Sequence, residues 1–126
     1  MGRVSVIEWT GVALGGMLGA CMRFFITNRI NGRWNKNFPL ATFLINMTGA
    51  FLLGFVYAEA RPNNILDYWL RSGAGIGFIG AFTTFSTWMY ESATLKDRKA
   101  ILTLLIYMLA SVVIGLLAAW LGMTIG

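Results

Sequence analysis

The chain has no histidine and one cysteine, Cys21. Without imidazole it has no side chain whose ordinary titration lies near neutral pH, and no histidine metal ligand. A lone cysteine closes no intrachain disulfide and builds no thiolate metal site, so Cys21 is expected to be a small apolar packing residue. Charge is scarce. Charged residues make up 12% of the chain, too few for a soluble domain of 126 residues. No nucleophile–base pair and no paired carboxylates occur, which argues against an enzyme. The two prolines, Pro39 and Pro62, fall at the start of one apolar run and just past its end, where helix boundaries tolerate them. There is no low-complexity segment and no repeat between the two halves.

Apolar sequence is abundant. Hydrophobic residues make up 57% of the chain and the mean hydropathy is +0.67. Four long apolar stretches stand out, near residues 6–26, 40–60, 70–90 and 100–123. Each has roughly the 20 residues that carry an α-helix across ~30 Å of hydrocarbon. The expectation is one all-α integral membrane domain over residues 1–126, with four transmembrane helices and no soluble domain. Arg3 before the first run resembles a signal peptide. The run is longer than the usual apolar core of such signals, and no clear small-residue cleavage site follows, so it is read as a span.

The formal net charge of +5 does not indicate nucleic-acid binding. The cations sit in the connecting segments, where they orient helices in a membrane, and form no basic stripe interleaved with aromatics. Arg3, Arg61 and Arg71 fall on one side; Arg29, Arg33, Lys36, Lys96, Arg98 and Lys99 fall on the other. This three-to-six bias favours cytoplasmic first and third loops, with both termini outside.

The polar residues inside the spans are few and clustered. The first span carries Gly11, Gly15, Gly19 and Arg23 at four-residue steps. Glycines so spaced expose a flat backbone strip for another helix. Arg23 either snorkels to the interface or anchors an aqueous entrance for an anion. In the second span Asn46 follows Thr42 by one turn and precedes Gly49. A buried asparagine needs partners, and either glues helices together or donates to an anion. The fourth span places Tyr107, Ser111, Gly115 and Ala119 on one face.

The third span is the unusual one, reading "GFIGAFTTFSTW" from Gly77 to Trp88. Gly73, Gly75, Gly77 and Gly80 weaken its first half, and the β-branched Thr83 and Thr84 follow. The helix is expected to open here and release backbone carbonyls near mid-membrane. Such carbonyls are tolerated only inside protein or bound to something, often a cation. Phe85 and Trp88 then share a face, and Glu91 follows three residues on. Ring edges are electropositive and favour an anion without formal charge. Many weak neutral contacts suit rapid passage better than a strongly cationic site.

These residues resemble the Fluc (CrcB-type) fluoride channels over essentially the whole chain. The match lies in the glycine-rich first helix ending in Arg23, the asparagine of "FLINMTGAFLLG", the "GAFTTFSTW" stretch, and Tyr107 with Ser111. The resemblance implies an antiparallel, dual-topology dimer of four-helix subunits in the cell membrane, with a broken third helix, two fluoride pores and passive fluoride export. It also implies a central structural sodium ion held by backbone carbonyls, here those of Gly80 and Thr83. Asn46 would donate to fluoride, Phe85 would offer its ring edge, and Tyr107 and Ser111 would line a polar track. Thr42 and Glu91 match further pore-associated positions, and Arg23 matches a basic vestibule residue.

One departure is notable. The family usually reads "TFSTF", whereas this chain has Trp88 at the second aromatic position. Trp88, a fluoride-pore position by the same resemblance, is larger and adds a ring N–H, which leaves open altered conduction or loss of one pore. Together with the biased loop charge, this leaves open a homodimer and a heterodimer with an oppositely oriented paralogue. A small multidrug exporter, the other four-span reading, needs a carboxylate well inside its first helix. Glu8 lies only at its start, and positions 9–22 carry no acid.

Overall fold

The computed structural model describes residues 2–59 and 69–126. Arg61 and Pro62 lie outside the described residues. Among those described the regular structure is entirely helical: α1 (Gly2–Asn31), α2 (Leu40–Glu59), α3 (Leu70–Ile79), α4 (Gly80–Phe82), α5 (Phe85–Asp97) and α6 (Ile101–Ile125). Three of these helices, over Glu8–Asn31, Leu40–Glu59 and Ile101–Ile125, are long and apolar enough to cross a membrane. Most of the large apolar side chains on α1 and α6 face outward, including Trp9, Phe24, Leu102, Leu109 and Leu116. Such surfaces suit lipid or a second protein rather than water. Cys21 also faces outward, which corrects its reading as a packing residue: it lies on the open side of α1.

The remaining apolar stretch is divided. Its first part, α3, is wound as a π-helix, and α4 continues it by one turn. The chain then leaves helical geometry at Thr83 (φ −79°, ψ 160°) and Thr84 (φ −149°, ψ 119°) before α5 begins. The stretch is therefore broken where expected, between its glycines and Phe85. The glycine-rich half stays helical, and its small residues serve close packing against α1. A Cβ on Gly77 would stand 2.6 Å from the Val12 carbonyl oxygen, and one on Gly15 would strike the Gly73 carbonyl. The four-step ladder of α1 thus forms the predicted seam.

A second seam joins α2 and α6. Cβ atoms on Gly54 and Gly122 would strike the backbone carbonyls of Ala119 and Phe51. Between the seams, Val56 and Ile79 form a small core with Leu52, Ala74 and Phe78. Phe78 stacks on Phe82 at 5.6 Å. Cations near the helix ends and in the first connection lie over aromatic faces: Arg29 over Phe25 (5.8 Å), Lys36 over Trp34 (5.5 Å) and Arg71 over Tyr57 (5.1 Å). Their stems thereby cover apolar surface while their heads stay near its edge.

The restart at α5 is capped by Thr84, whose Oγ1 accepts the Thr87 N–H at 3.2 Å. The same hydroxyl bonds Thr87 Oγ1 at 3.1 Å. An N-cap hydroxyl typically contributes ~1 kcal/mol. Thr84→Val keeps the shape and removes the acceptor, so it is expected to lower stability by about that amount, while Thr84→Ser stays near wild type. Thermal melting in detergent checks both.

Candidate functional site at the helix break

The break is held open by one side chain. The Thr84 backbone N–H donates to Asn46 Oδ1 at 2.9 Å, and Asn46 Nδ2 donates to the Thr84 carbonyl at 3.0 Å. A backbone N–H only donates and a carbonyl only accepts, so this pair fixes the orientation of the carboxamide. The two elements are 38 residues apart in sequence. Gly49, one turn on, makes room, because a Cβ there would strike Thr83 Cγ2.

The clasp has a consequence for the carbonyls of the broken turn. In a continuous helix the Gly80 carbonyl would accept the Thr84 N–H, and the Thr83 carbonyl would accept the Thr87 N–H. Here the first donor goes to Asn46 and the second to Thr84 Oγ1. Gly80 is also exposed, with nothing within 4 Å of a Cβ built on it. The Gly80 and Thr83 carbonyls are thus among those left without a helical donor at the break.

Three cavities surround the clasp. One of about 310 Å³ is lined by Asn46, Ile79, Thr83, Thr84, Phe85 and Trp88, among others. The Phe85 and Trp88 rings lie 5.5 Å apart and tilted by 56°, so they share a face as their spacing predicts. A second cavity of about 190 Å³ is lined by Asn46, Met47, Trp88, Ser111 and Val112. A third, of about 500 Å³, gathers Arg23, Thr42, Thr84, Thr87, Tyr90 and Glu91. Arg23 is half-buried on this third cavity and is therefore not simply extended to the helix end.

Tyr107 stands apart from the cavity walls. It is fully buried, packs edge-on against Phe38 at 5.4 Å, and donates its hydroxyl to Glu91 Oε1 at 3.2 Å. Thr42, also buried, lies beside both and contacts each through its hydroxyl. Thr42, Glu91 and Tyr107 therefore form one polar cluster that ties α2, α5 and α6 together. Ser111 lies one turn beyond Tyr107, on the smaller cavity with Asn46 and Trp88.

Sequence reasoning missed Thr84, whose backbone and side chain both organise the site, and Thr87, which completes the cap. The signal was present in the T-x-x-T spacing, which is that of an N-cap and its N3 partner.

A family model described as "CrcB-like protein, Camphor Resistance (CrcB)" matches residues 10–123. The chain belongs to the CrcB family. It is 49% identical to the fluoride-specific ion channel FluC 2 of Bacillus cereus over 121 residues, 96% of this chain and 98% of the relative. It is 40% identical to FluC 2 of Mycobacterium tuberculosis over 119 residues, 94% and 90% of the two chains. It is likewise 40% identical to FluC 1 of Listeria monocytogenes over 121 residues, 96% and 98% of the two. Membership of the CrcB family agrees with a multi-pass membrane protein whose work is transport rather than catalysis.

Proposed function

We propose that this chain is a fluoride-selective channel that lets accumulated fluoride leave the cell passively. The observation that carries the reading is the Asn46 clasp, which opens the third span and surrounds the opening with neutral donors and aromatic edges. The family match over residues 10–123 and fluoride-channel relatives at 40–49% identity support it. The broken α3–α4–α5 stretch acts as a further span, giving four per subunit. Two subunits pair antiparallel, and the exposed Phe85 and Gly80 belong to faces that a second subunit would cover.

Anion passage follows from the lining. Arg23 draws anions toward the third cavity by its charge. Beyond it, Asn46 uses one amide hydrogen on Thr84 and keeps one to donate. The Phe85 edge and the Ser111 hydroxyl offer further weak contacts. Thr42, Glu91 and Tyr107 hold the neighbouring walls in register. The carbonyls of Gly80 and Thr83 suit a hard cation, being oxygen ligands released from helical bonds. A sodium ion there would supply fixed positive charge and stabilise the opened turn.

Fluoride efflux from liposomes holding this purified chain alone, compared with chloride efflux, tests the reading. Rapid fluoride loss without chloride loss is expected from a homodimer. Flux that appears only when an oppositely oriented paralogue is added identifies a heterodimer. A folded protein that passes no fluoride in either setting overturns the proposal.

A further inference from the structure

The first connection and the last turns of α5 enclose a cavity of about 210 Å³, separate from the three around the clasp. Asn31, Trp34, Lys36, Asn37, Thr94 and Arg98 line it. The loop wall is braced by its own bonds. The Trp34 backbone N–H donates to the Ile30 carbonyl at 3.0 Å, and its indole N–H to the Phe38 carbonyl at 2.7 Å. Lys36 rides on this turn, its ammonium 5.5 Å from the centre of the Trp34 ring. Thr94 spends its hydroxyl on the Tyr90 carbonyl. The lining groups with donors to offer are then Lys36, Arg98 and the amides of Asn31 and Asn37. Glu91 also lines the cavity, and its carboxylate already accepts from Tyr107 and Thr42.

The cavity brings the two basic segments of the chain to one end of the bundle. Arg29, Arg33, Lys96 and Lys99 flank Lys36 and Arg98 in these segments, with Asp97 among them. Lys99 sits at φ 60°, where its N–H and that of Ala100 close α5 on the Lys96 and Leu95 carbonyls. Glycine is the usual residue in such a turn, and lysine adopts it at a conformational cost. Apolar surface begins where the charge ends. Tyr90 is 74% exposed, and Ile101 and Leu102 stand exposed directly after the basic turn. Cations, an aromatic rim and adjoining apolar surface together match an anionic lipid at the membrane boundary.

We propose that this cavity binds the headgroup of an anionic phospholipid. Lys36 and Arg98 engage the phosphodiester, Asn31 and Asn37 donate to the headgroup, and the acyl chains lie along the exposed start of α6. The inference goes beyond the fluoride-channel reading and does not depend on it. A free anion would use the charges alone, whereas a lipid uses the apolar border as well.

Melting the purified protein in neutral detergent tests this, with dioleoyl phosphatidylglycerol, dioleoyl phosphatidylcholine or inorganic phosphate added at matched concentrations. Phosphatidylglycerol is expected to raise the melting temperature saturably, and the other two to leave it in place. Lys36→Gln combined with Arg98→Gln is expected to raise the half-saturating phosphatidylglycerol concentration about thirtyfold, the worth of two cations at an anionic headgroup. Both side chains are exposed, so the lipid-free melting temperature stays near wild type. Lys99→Gly excludes a folding defect: it relaxes the turn, so its lipid-free melting temperature holds or rises while the half-saturating concentration rises about fivefold. An equal rise with phosphatidylcholine makes the cavity part of the general lipid shell and overturns the proposal. An equal rise with phosphate makes it a soluble-anion site and overturns it too. An undiminished phosphatidylglycerol response in both variants places the lipid elsewhere and removes these residues from its site.

Discussion

Replacing Asn46 with alanine is expected to abolish fluoride flux and to lower stability by ~2–6 kcal/mol. The substitution removes both partners of the Thr84 backbone, which is buried at 8% exposure. Each unsatisfied buried group costs ~1–3 kcal/mol, and two are created at once. The chain has one way to relieve them. If Thr83 and Thr84 return to helical geometry, the Thr84 N–H recovers the Gly80 carbonyl and the break closes. That relief removes the opening itself, so flux is lost whether the protein is destabilised or repaired. The expected decrease is at least about a hundredfold, matching the loss of two hydrogen bonds at one site.

Asn46→Asp separates the two roles of the side chain. The aspartate keeps the acceptor for the Thr84 N–H but loses the donor to the Thr84 carbonyl and adds negative charge. It is expected to fold better than Asn46→Ala and to conduct no better, because a carboxylate repels an anion. Efflux from liposomes and melting in detergent, run on all three proteins, decide the matter. An Asn46→Ala protein conducting like wild type would remove the clasp from the mechanism.

What the chain alone revealed divides along physical lines. Span positions were legible because apolar length is a local property: the second and fourth stretches match α2 and α6 almost residue for residue. The glycine ladder of α1 was legible from its spacing. Asn46 was visible as a polar residue in a place that demands partners. Its actual partner was not, because a contact between residues 46 and 84 depends on how α2 packs on the broken α3–α5 stretch. The opening was legible too: weak helix formers followed by two β-branched residues placed it just before Phe85, and it lies at Thr83 and Thr84. Packing keeps the glycines themselves helical against α1, and Asn46 supplies replacement bonds at Thr84. Tyr107 likewise reads as part of a polar face, while its burial beneath Phe38 and against Glu91 belongs to tertiary structure.

The seam between α1 and α3 carries the second large effect. Gly15→Ala is expected to lower stability by about 3 kcal/mol, within the upper range for overpacked interiors. The added Cβ strikes the Gly73 carbonyl and stands 2.9 Å from the Phe78 backbone nitrogen. All three of its nearest neighbours are backbone atoms, so no side-chain rotation relieves the clash and the two helices must separate. Within a membrane, such separation forfeits the close van der Waals contact on which helix association depends. Gly15→Val is then expected to add little further damage, because the first carbon already forces the helices apart. Gly16→Ala is the matched control. It lies next along the same helix, and its Cβ would meet nothing nearer than the Gly77 carbonyl at 3.9 Å. It is expected to be neutral or to stabilise by up to ~1 kcal/mol through helix propensity. Melting in detergent with size-exclusion profiles compares the three variants. If Gly15→Ala melts with wild type, the seam is looser than the glycine spacing requires. If only Gly15→Ala and Gly15→Val fall, the third span's first half is held by this backbone contact, and the break at Thr84 is anchored from both sides: by the glycine seam before it and by Asn46 at it.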